Sequence, residues 1–364
     1  MKERMHRIKY AFPVFFFVAC TTLIAPLPML RGAIYEAKIE ETTISLSPAV
    51  EFMLPNGSID VLLRHTLGRS VVDFSSKYDF IENYMYADLN FSYQFTRYYF
   101  GLDLSDNINF EEMLFGQNSL QRSRHMMPYV GYRLSKPTSI EFSTKFGSNY
   151  AVSIDNVNTL DSGKDVTPMI GIHYSTLEET TPAPKGTKIS LDVSKSLSMF
   201  GGDYDYTQAD FKMEDILYPY DGHYVRSKLR MGYPLAIQRK PLTEIYFLGG
   251  YELMRGYKYR EFLGDSILYL QLDYNIPLPA VKSLFNGVFD VISWDMMWET
   301  GKTSTRESIA TLEGFRSSFG AGTSCYLTLF KTVRTKFTMS VNQAVDMRNP
   351  VVYFSVSTLS YIRQ

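Results

Sequence analysis

The sequence is poor in cysteine and tryptophan, with two of each among 364 residues. Cys20 lies in the apolar N-terminal region and Cys325 in a predicted strand, so we expect no disulfide framework, and the two cysteines do not identify a compartment. An excess of charge is also absent, because 37 basic residues are balanced by 38 acidic ones. This balance gives no indication of nucleic-acid binding.

Sequence patterns typical of catalysis are absent as well. There is no Gly-x-Ser-x-Gly and no Cys-x-x-Cys. Gly301-Lys302-Thr303 has the ending of a phosphate-binding loop, but Met296 stands five positions before Gly301, where that motif requires glycine. The five histidines lack metal-ligand spacing: His6, His65, His125, His173 and His223. We therefore predict no enzyme activity, no metal site and no cofactor.

Tyrosine and phenylalanine, in contrast, are abundant. The chain has 27 Tyr and 25 Phe, and aromatic residues make up 15% of it. Tyrosine combines an apolar ring with a hydroxyl group, which suits a protein whose surface meets both water and apolar surroundings. An aromatic-rich soluble sandwich fits the same composition, so composition leaves both classes open.

The N-terminus has the layout of a secretory signal peptide. An apolar stretch from Ala11 to about Leu30 follows a cluster of basic residues, Lys2, Arg4, Arg7 and Lys9. The length also allows a membrane-anchor helix, but strands rather than helices follow. We predict a signal peptide over residues 1–33, with lipidation at Cys20 as the alternative.

Beyond the leader, segments of about ten residues alternate apolar and polar positions with period two. One clear case places apolar residues at every second position of a strand: Ala87, Leu89, Phe91, Tyr93 and Phe95. In a soluble sandwich the polar face of such a strand meets water. In a membrane barrel the polar face lines the lumen and the apolar face meets lipid. Period two alone does not separate these two folds.

The number and spacing of the segments favour a barrel. Roughly sixteen segments at about 21 residues each match spanning strands of 9–11 residues with their connections. An even number of strands closes the sheet, which lipid requires because unpaired backbone groups find no water there. We predict an all-β fold, a transmembrane antiparallel barrel of about 16 strands over residues 34–364. The strands begin near Thr42, Gly57, Tyr84, Tyr98, Arg124, Thr138, Thr167, Gly186, Tyr206, His223, Leu242, Asp265, Asn286, Phe315, Thr332 and Pro350.

The most distinctive motif lies between two of these strands, at residues 249–257, with the sequence Gly-Gly-Tyr-Glu-Leu-Met-Arg-Gly-Tyr. It resembles the sixth extracellular loop of the superfamily that includes BamA and the two-partner secretion transporters such as FhaC. That family has a Gly-Gly pair followed by a (Val/Ile/Leu)-Arg-Gly-(Phe/Tyr) tip. The tip here is Met254-Arg255-Gly256-Tyr257.

Three further elements follow in the family order. Residues 270–278 are similar to the strand that carries a family Glu before an aromatic and Pro-Leu, with Asp273 in place of the Glu. Val288-Phe289-Asp290 resembles a Phe-x-Asp element, and residues 318–322 resemble a small-residue strand. The resemblance to this bacterial surface antigen domain covers residues 242–364.

The resemblance implies roles for individual residues. In the family the loop folds into the lumen and its Arg pairs with an Asp on the second strand after the loop; the matching residues are Arg255 and Asp290. Asp273 is a second candidate partner, because its strand alternation turns it to the polar face. Asp290 alternates with apolar residues, so a β-bulge would be needed there. The alternative is that Arg255 is a solvated loop residue.

The physical chemistry of such a loop is consistent with this assignment. A guanidinium in a restricted lumen requires a carboxylate, and a bidentate pair also fixes geometry. Glycines allow sharp turns and close approach to the wall. The candidate lumen motif therefore consists of Gly249, Gly250, Met254, Arg255, Gly256 and Tyr257.

Two interpretations stay open for a basic ladder on a predicted strand, formed by Arg226, Lys228 and Arg230. It is either an anion-attracting constriction or part of a set of lumen ion pairs with Asp210 and Glu214 on the preceding strand.

Pro48, within the first predicted strand, also has two interpretations. In the family the first and last strands form a seam that can open laterally, and a proline there would weaken the seam. The alternative is that the strand starts later.

The resemblance also implies function. It places the protein in the cell outer membrane of a Gram-negative-type envelope, in contact with outer-membrane lipid. It implies outer-membrane protein assembly or protein translocation, with unfolded outer-membrane proteins as clients. The sequence lacks the POTRA repeats of most members and ends in Tyr361-Ile362-Arg363-Gln364 rather than on an aromatic, so we expect separate periplasmic or lipoprotein partners. The alternatives are a structural or passive pore-forming barrel without insertase activity, and a soluble secreted β protein.

Overall fold

Long antiparallel strands build the wall of the protein in the computed structural model. The structure describes residues 42–54, 57–79, 85–114, 117–153, 158–178, 184–250, 253–258, 260–278, 289–304, 313–329, 333–346 and 349–363. The predicted signal peptide lies outside these ranges. Within them, the strands are β1 Thr42–Leu54, β2 Gly57–Leu67, β3 Ser70–Asp79, β4 Met85–Phe95, β5 Tyr98–Leu114, β6 Gln117–Arg133, β7 Thr138–Ser153, β8 Thr159–Ser175, β9 Gly186–Ser196, β10 Asp205–Tyr220, β11 His223–Arg239, β12 Tyr246–Leu248, β13 Phe262–Gly264, β14 Ser266–Pro277, β15 Phe289–Ser304, β16 Arg316–Leu329, β17 Val333–Ala344 and β18 Val351–Arg363.

Sixteen of these strands form one closed ring, in which each strand pairs with its neighbours in chain order. The short strands β12 and β13 pair only with each other, so β11 is followed in the ring by β14. The ring closes where β1 pairs with β18, from Thr43 opposite Arg363 to Leu54 opposite Val352. The prediction of an antiparallel barrel of about 16 strands is confirmed.

Side-chain exposure shows which face of the sheet is apolar. On β7, Phe142 and Phe146 are 55% and 44% exposed, whereas the alternating Ser143 and Asn149 are 7% and 5% exposed. A soluble protein would reverse this order and bury its aromatic residues. An outward apolar face with an enclosed polar face is the arrangement expected of a barrel in lipid.

Helices are short in the described part of the chain. One 3₁₀ turn spans Ser198–Phe200 between β9 and β10, and another spans Leu242–Glu244 after β11. No helix within the described ranges has the length and apolar character needed to cross a membrane.

Pro48 lies in the middle of β1, because the strand already begins at Thr42. The alternative of a late strand start is therefore wrong. Pro48 is opposite Val61 of β2, but the pairing with β18 passes from Leu46 directly to Ala49. Proline has no backbone N–H to donate, which accounts for an interrupted ladder at this point of the seam.

Candidate functional site

The loop between β11 and β14, residues 240–265 (the lumen loop), packs against inward-facing side chains of the wall. Its apolar residues join residues of β14 and β17 in one buried cluster. Met254 and Leu248 are fully buried there, and Tyr257 is 2% exposed. The members of the cluster are Tyr246, Leu248, Met254, Tyr257, Ile267, Tyr269 and Ala344, with Leu253 and Phe262 at its edge. The loop is thus held by apolar burial as well as by charge.

Positive backbone φ angles give the loop its shape. Gly249, Gly250 and Gly256 have φ angles of 115°, 96° and 101°, and Met254 has 77°. Glycine adopts such angles without the steric cost that a Cβ would bring. Gly256 also leaves no room for a side chain, because an added Cβ would lie 2.9 Å from the backbone N of Ala344. The tip can therefore approach β17 closely only with glycine at this position.

Arg255 points into a pair of carboxylates on the wall. Its Nε lies 3.0 Å from Glu299 Oε1, and its Nη2 lies 3.3 Å from Asp273 Oδ1. Its backbone N–H donates to the second Glu299 oxygen at 2.5 Å. The Arg255 side chain is 12% exposed and that of Glu299 is 2% exposed. A guanidinium so enclosed is stabilised only if such partners are present.

Other side chains hold the two carboxylates in place. The Tyr269 hydroxyl donates to Glu299 at 3.1 Å and the Ser318 hydroxyl at 3.0 Å. The Gln271 amide donates to Asp273 at 2.5 Å. These residues come from β14, β15 and β16, so the arginine site is built by three adjacent strands.

Tyr257, the last residue of the motif, connects the tip to the β17–β18 connection. Its hydroxyl lies 2.6 Å from Asp346 Oδ1, and Arg316 Nη1 lies 2.6 Å from Asp346 Oδ2. The hydrogen bond from Tyr257, together with the Arg316 charge, holds the pKa of the Asp346 carboxyl below its usual value. The ionised form of Asp346 therefore fixes the tip.

This pKa shift predicts a pH-dependent contribution of Asp346 to stability. Because the folded-state pKa is lowered, the contribution is present above the unfolded value of about 3.9 and is lost as pH falls through the folded value. Asp346→Asn should therefore unfold at a lower temperature than wild type at pH 6. The difference between the two proteins should narrow as the pH falls below about 3.9, the unfolded value. A difference in gel-shift unfolding temperature that stays constant from pH 6 to pH 2.5 would contradict this account.

The structure places the predicted partners of Arg255 at unequal distances. Asp273 lies within ion-pair distance of Arg255, as described. Asp290 is not a partner, because its backbone lies nine residues before Glu299 in β15, about 30 Å away along an extended strand. The pairing of β15 with β16 is irregular between Phe289 and Val291, where a bulge was expected. The Asp290 side chain lies outside the described residues, as do Tyr251 and Glu252 of the motif.

Glu299 is the site residue that sequence analysis missed. The signal for it was present: Glu299 shares its alternation with Ser293 and Asp295, whereas Trp294 and Met296 are more than half exposed on the outer face. The family resemblance indicated Asp290 at the start of β15, whereas Glu299 lies nearer the end of that strand.

In the basic ladder, Arg226 Nε lies 3.2 Å from Glu214 Oε1 across β10 and β11. This contact favours lumen ion pairs over an open constriction. Within the described residues, no group of three His, Cys, Asp or Glu side chains is arranged to hold a metal ion.

A closed sixteen-strand ring with an apolar exterior, a polar interior and a loop docked inside it defines an outer-membrane β-barrel. The model of the Omp85 superfamily domain matches residues 38–359. The chain belongs to the Omp85 superfamily, and it resides in the outer membrane of a Gram-negative bacterium.

Solved structures show the same fold. BamA from Haemophilus ducreyi lacking POTRA domains 1–3 aligns with a TM-score of 0.66 at 11% identity, over 88% of this chain and 70% of that one. CdiB from Acinetobacter baumannii aligns with a TM-score of 0.61 at 15% identity, over 89% of this chain and 60% of that one. CdiB from Escherichia coli aligns with a TM-score of 0.60 at 11% identity, over 90% of this chain and 64% of that one. The chain thus spans less than two thirds of either CdiB structure. No curated protein matches the sequence.

Proposed function

We propose that this barrel acts in outer-membrane protein assembly or protein translocation, without catalysing a covalent step. Separate periplasmic or lipoprotein partners would deliver its clients, which we propose are unfolded outer-membrane proteins. The observation that carries the proposal is the Arg255 tip, bound to Glu299 and Asp273 inside the lumen. This arrangement encloses a charge, which a passive pore does not require.

The location of the tip relative to the seam supports the same proposal. Tyr257 and Gly256 contact the β16, β17 and β18 region: the Tyr257 hydroxyl lies 3.2 Å from the Ser317 carbonyl, and the Gly256 N–H donates to the Tyr353 hydroxyl at 3.4 Å. Tyr353 belongs to β18, one side of the seam that is interrupted at Pro48. A docked tip beside a weakened seam is suited to a barrel that handles polypeptide strands.

Depletion in the native host tests the proposal. Loss of the protein should lower the levels of other outer-membrane barrels or of an exported polypeptide, and gentle detergent extraction should recover periplasmic or lipoprotein partners. Unchanged levels of all these proteins, together with steady ion conductance of the purified barrel in planar bilayers, would instead establish a passive pore.

The seam offers a separate prediction. Pro48→Ala adds a backbone donor toward β18 and should stabilise the barrel by about 1 kcal/mol, the net value of one hydrogen bond. If the seam opens during function, this variant should also slow client insertion in proteoliposomes. Pro128→Ala is the matched control, because Pro128 lies in β6 and the pairing of β6 with β7 is likewise interrupted, between Met126 and Tyr129. Equal insertion rates for the two variants would exclude seam opening.

A further inference from the structure

The first part of the lumen loop and its tip are attached to different strands of the barrel wall. In the 3₁₀ turn Leu242–Glu244, Glu244 Oε1 accepts a hydrogen bond from Lys145 Nζ of β7 at 2.7 Å. The same ammonium lies 2.6 Å from Asp165 of β8. The Lys145 side chain is 15% exposed and that of Asp165 is fully buried. One wall lysine thus bridges a wall carboxylate and a loop carboxylate.

Two further bonds connect the same turn to these strands. The Thr243 hydroxyl lies 2.7 Å from Asn149 Oδ1 of β7, and the Leu242 N–H donates to Asp161 Oδ2 of β8 at 3.1 Å. All of these attachments are polar. The attraction of the Lys145 ammonium lowers the pKa of the Glu244 carboxyl, so Glu244 is ionised at neutral pH.

The two attachments lie far apart around the ring. In the strand order, β7, which carries Lys145, and β15, which carries Glu299, are separated by β8, β9, β10, β11 and β14, which places them six positions apart in a ring of sixteen. The lumen loop therefore crosses the lumen. Its charges are of opposite sign at its two ends: an anion of the loop meets a cation of β7, and a cation of the loop meets anions of β14 and β15.

The two attachments also differ in kind. The Arg255 end combines ion pairs with the buried apolar cluster that includes Met254 and Tyr257. The Glu244 end is held by the ion pair and hydrogen bonds described above, next to the buried Pro241, and the Glu244 side chain is 27% exposed. Water can replace polar contacts far more readily than it can replace a buried apolar cluster. The Glu244 end is therefore the one that can be released while the tip stays docked.

We propose that the Lys145–Glu244 pair is a releasable latch that keeps the lumen closed. When the pair separates, residues 240–245 leave the β7–β8 wall while Arg255 stays bound, and a path for small ions opens along that wall. The proposal goes beyond a role in assembly or translocation, since it concerns the barrel alone and requires no client.

Planar-bilayer recordings of the purified full-length protein test the latch. Glu244→Gln retains the shape of the side chain and removes its charge. The open probability should rise roughly 10- to 100-fold, the range expected from loss of one charge-assisted hydrogen bond. Glu178→Gln is the matched control, because Glu178 pairs with Lys185 at 3.1 Å with both side chains more than half exposed. That variant should conduct like wild type.

A labelling experiment reports the movement directly. In a Cys325→Ser background, Ile245→Cys should react with a polar maleimide faster when Glu244→Gln is also present, while the gel-shift unfolding temperature shows that the barrel is folded. If Glu244→Gln fails to fold, Thr243→Val removes only the Asn149 contact and should change conductance and labelling in the same direction by less.

Wild-type conductance and labelling in the folded variants would overturn the proposal. A client-insertion assay is independent of both readouts, so failure of the proposed function would be recognised separately.

Discussion

Replacing Arg255 with alanine should destabilise the folded barrel by about 3–5 kcal/mol, the usual cost of removing one partner of a buried ion pair. The reason is the charge left behind: Glu299 is 2% exposed and would keep only neutral donors. The measurement is the temperature at which the barrel loses its folded gel mobility. Unchanged gel mobility and heat resistance of this variant would contradict the docked position of the loop.

Two companion variants separate charge from shape. Arg255→Lys keeps the charge but loses the planar fork that reaches both carboxylates, so it should retain part of the stability. Combining Arg255→Ala with Glu299→Gln removes the unpaired carboxylate and should recover part of the loss. Arg124→Gln is the surface control, since Arg124 is 54% exposed beside Asp106, and such pairs contribute less than about 1 kcal/mol.

The barrel was predictable from the sequence because lipid imposes alternation and closure on every strand. Even so, the predicted set of sixteen strands contained one omission and one addition. The omitted strand is β3, which follows β2 after only the two residues Gly68 and Arg69. The added strand was near Leu242, where the chain forms a 3₁₀ turn and the short strand β12.

The reason for the added strand is the environment of the loop. Tyr246 and Leu248 are apolar at alternate positions, as in a lipid-facing strand, but they are buried in the lumen cluster. Sequence alternation records only that a face is apolar and does not tell whether lipid or a loop covers it. The same limit applies to Lys145 and Glu244, which are far apart in sequence and meet only because the loop crosses the ring.

The candidate site was predictable in part for a similar reason. The glycines and Arg255 are local features of one motif, and Asp273 follows from the alternation of one strand. The assignment of Asp290 came from the resemblance alone, without the register of β15 against β14. In that register Asp273 is opposite Met297, two positions from Glu299, so the two carboxylates that bind Arg255 are neighbours on the wall.

Gly256→Ala should prevent normal docking of the tip, with a loss of stability approaching that of Arg255→Ala. A Cβ at a φ of 101° has a steric cost of about 1–2 kcal/mol, and overpacking against a backbone atom adds about 1–3 kcal/mol. The nearest obstacle is the Ala344 backbone N at 2.9 Å, which is fixed in the β17 ladder and cannot move aside like a flexible side chain. The measurement is again the gel-shift unfolding temperature, together with protease sensitivity of the loop.

Gly314→Ala provides the matched control for this prediction. Gly314 also has a positive φ, of 80°, but no heavy atom lies within 4 Å of its added Cβ. Both variants share the backbone cost, and only Gly256→Ala adds the clash with β17. A clearly larger loss for Gly256→Ala therefore measures the close approach of the tip to the wall. Equal losses would show that the tip does not pack against β17, and the role assigned to Arg255 would then have to be abandoned, because its carboxylates can be reached only from a docked tip.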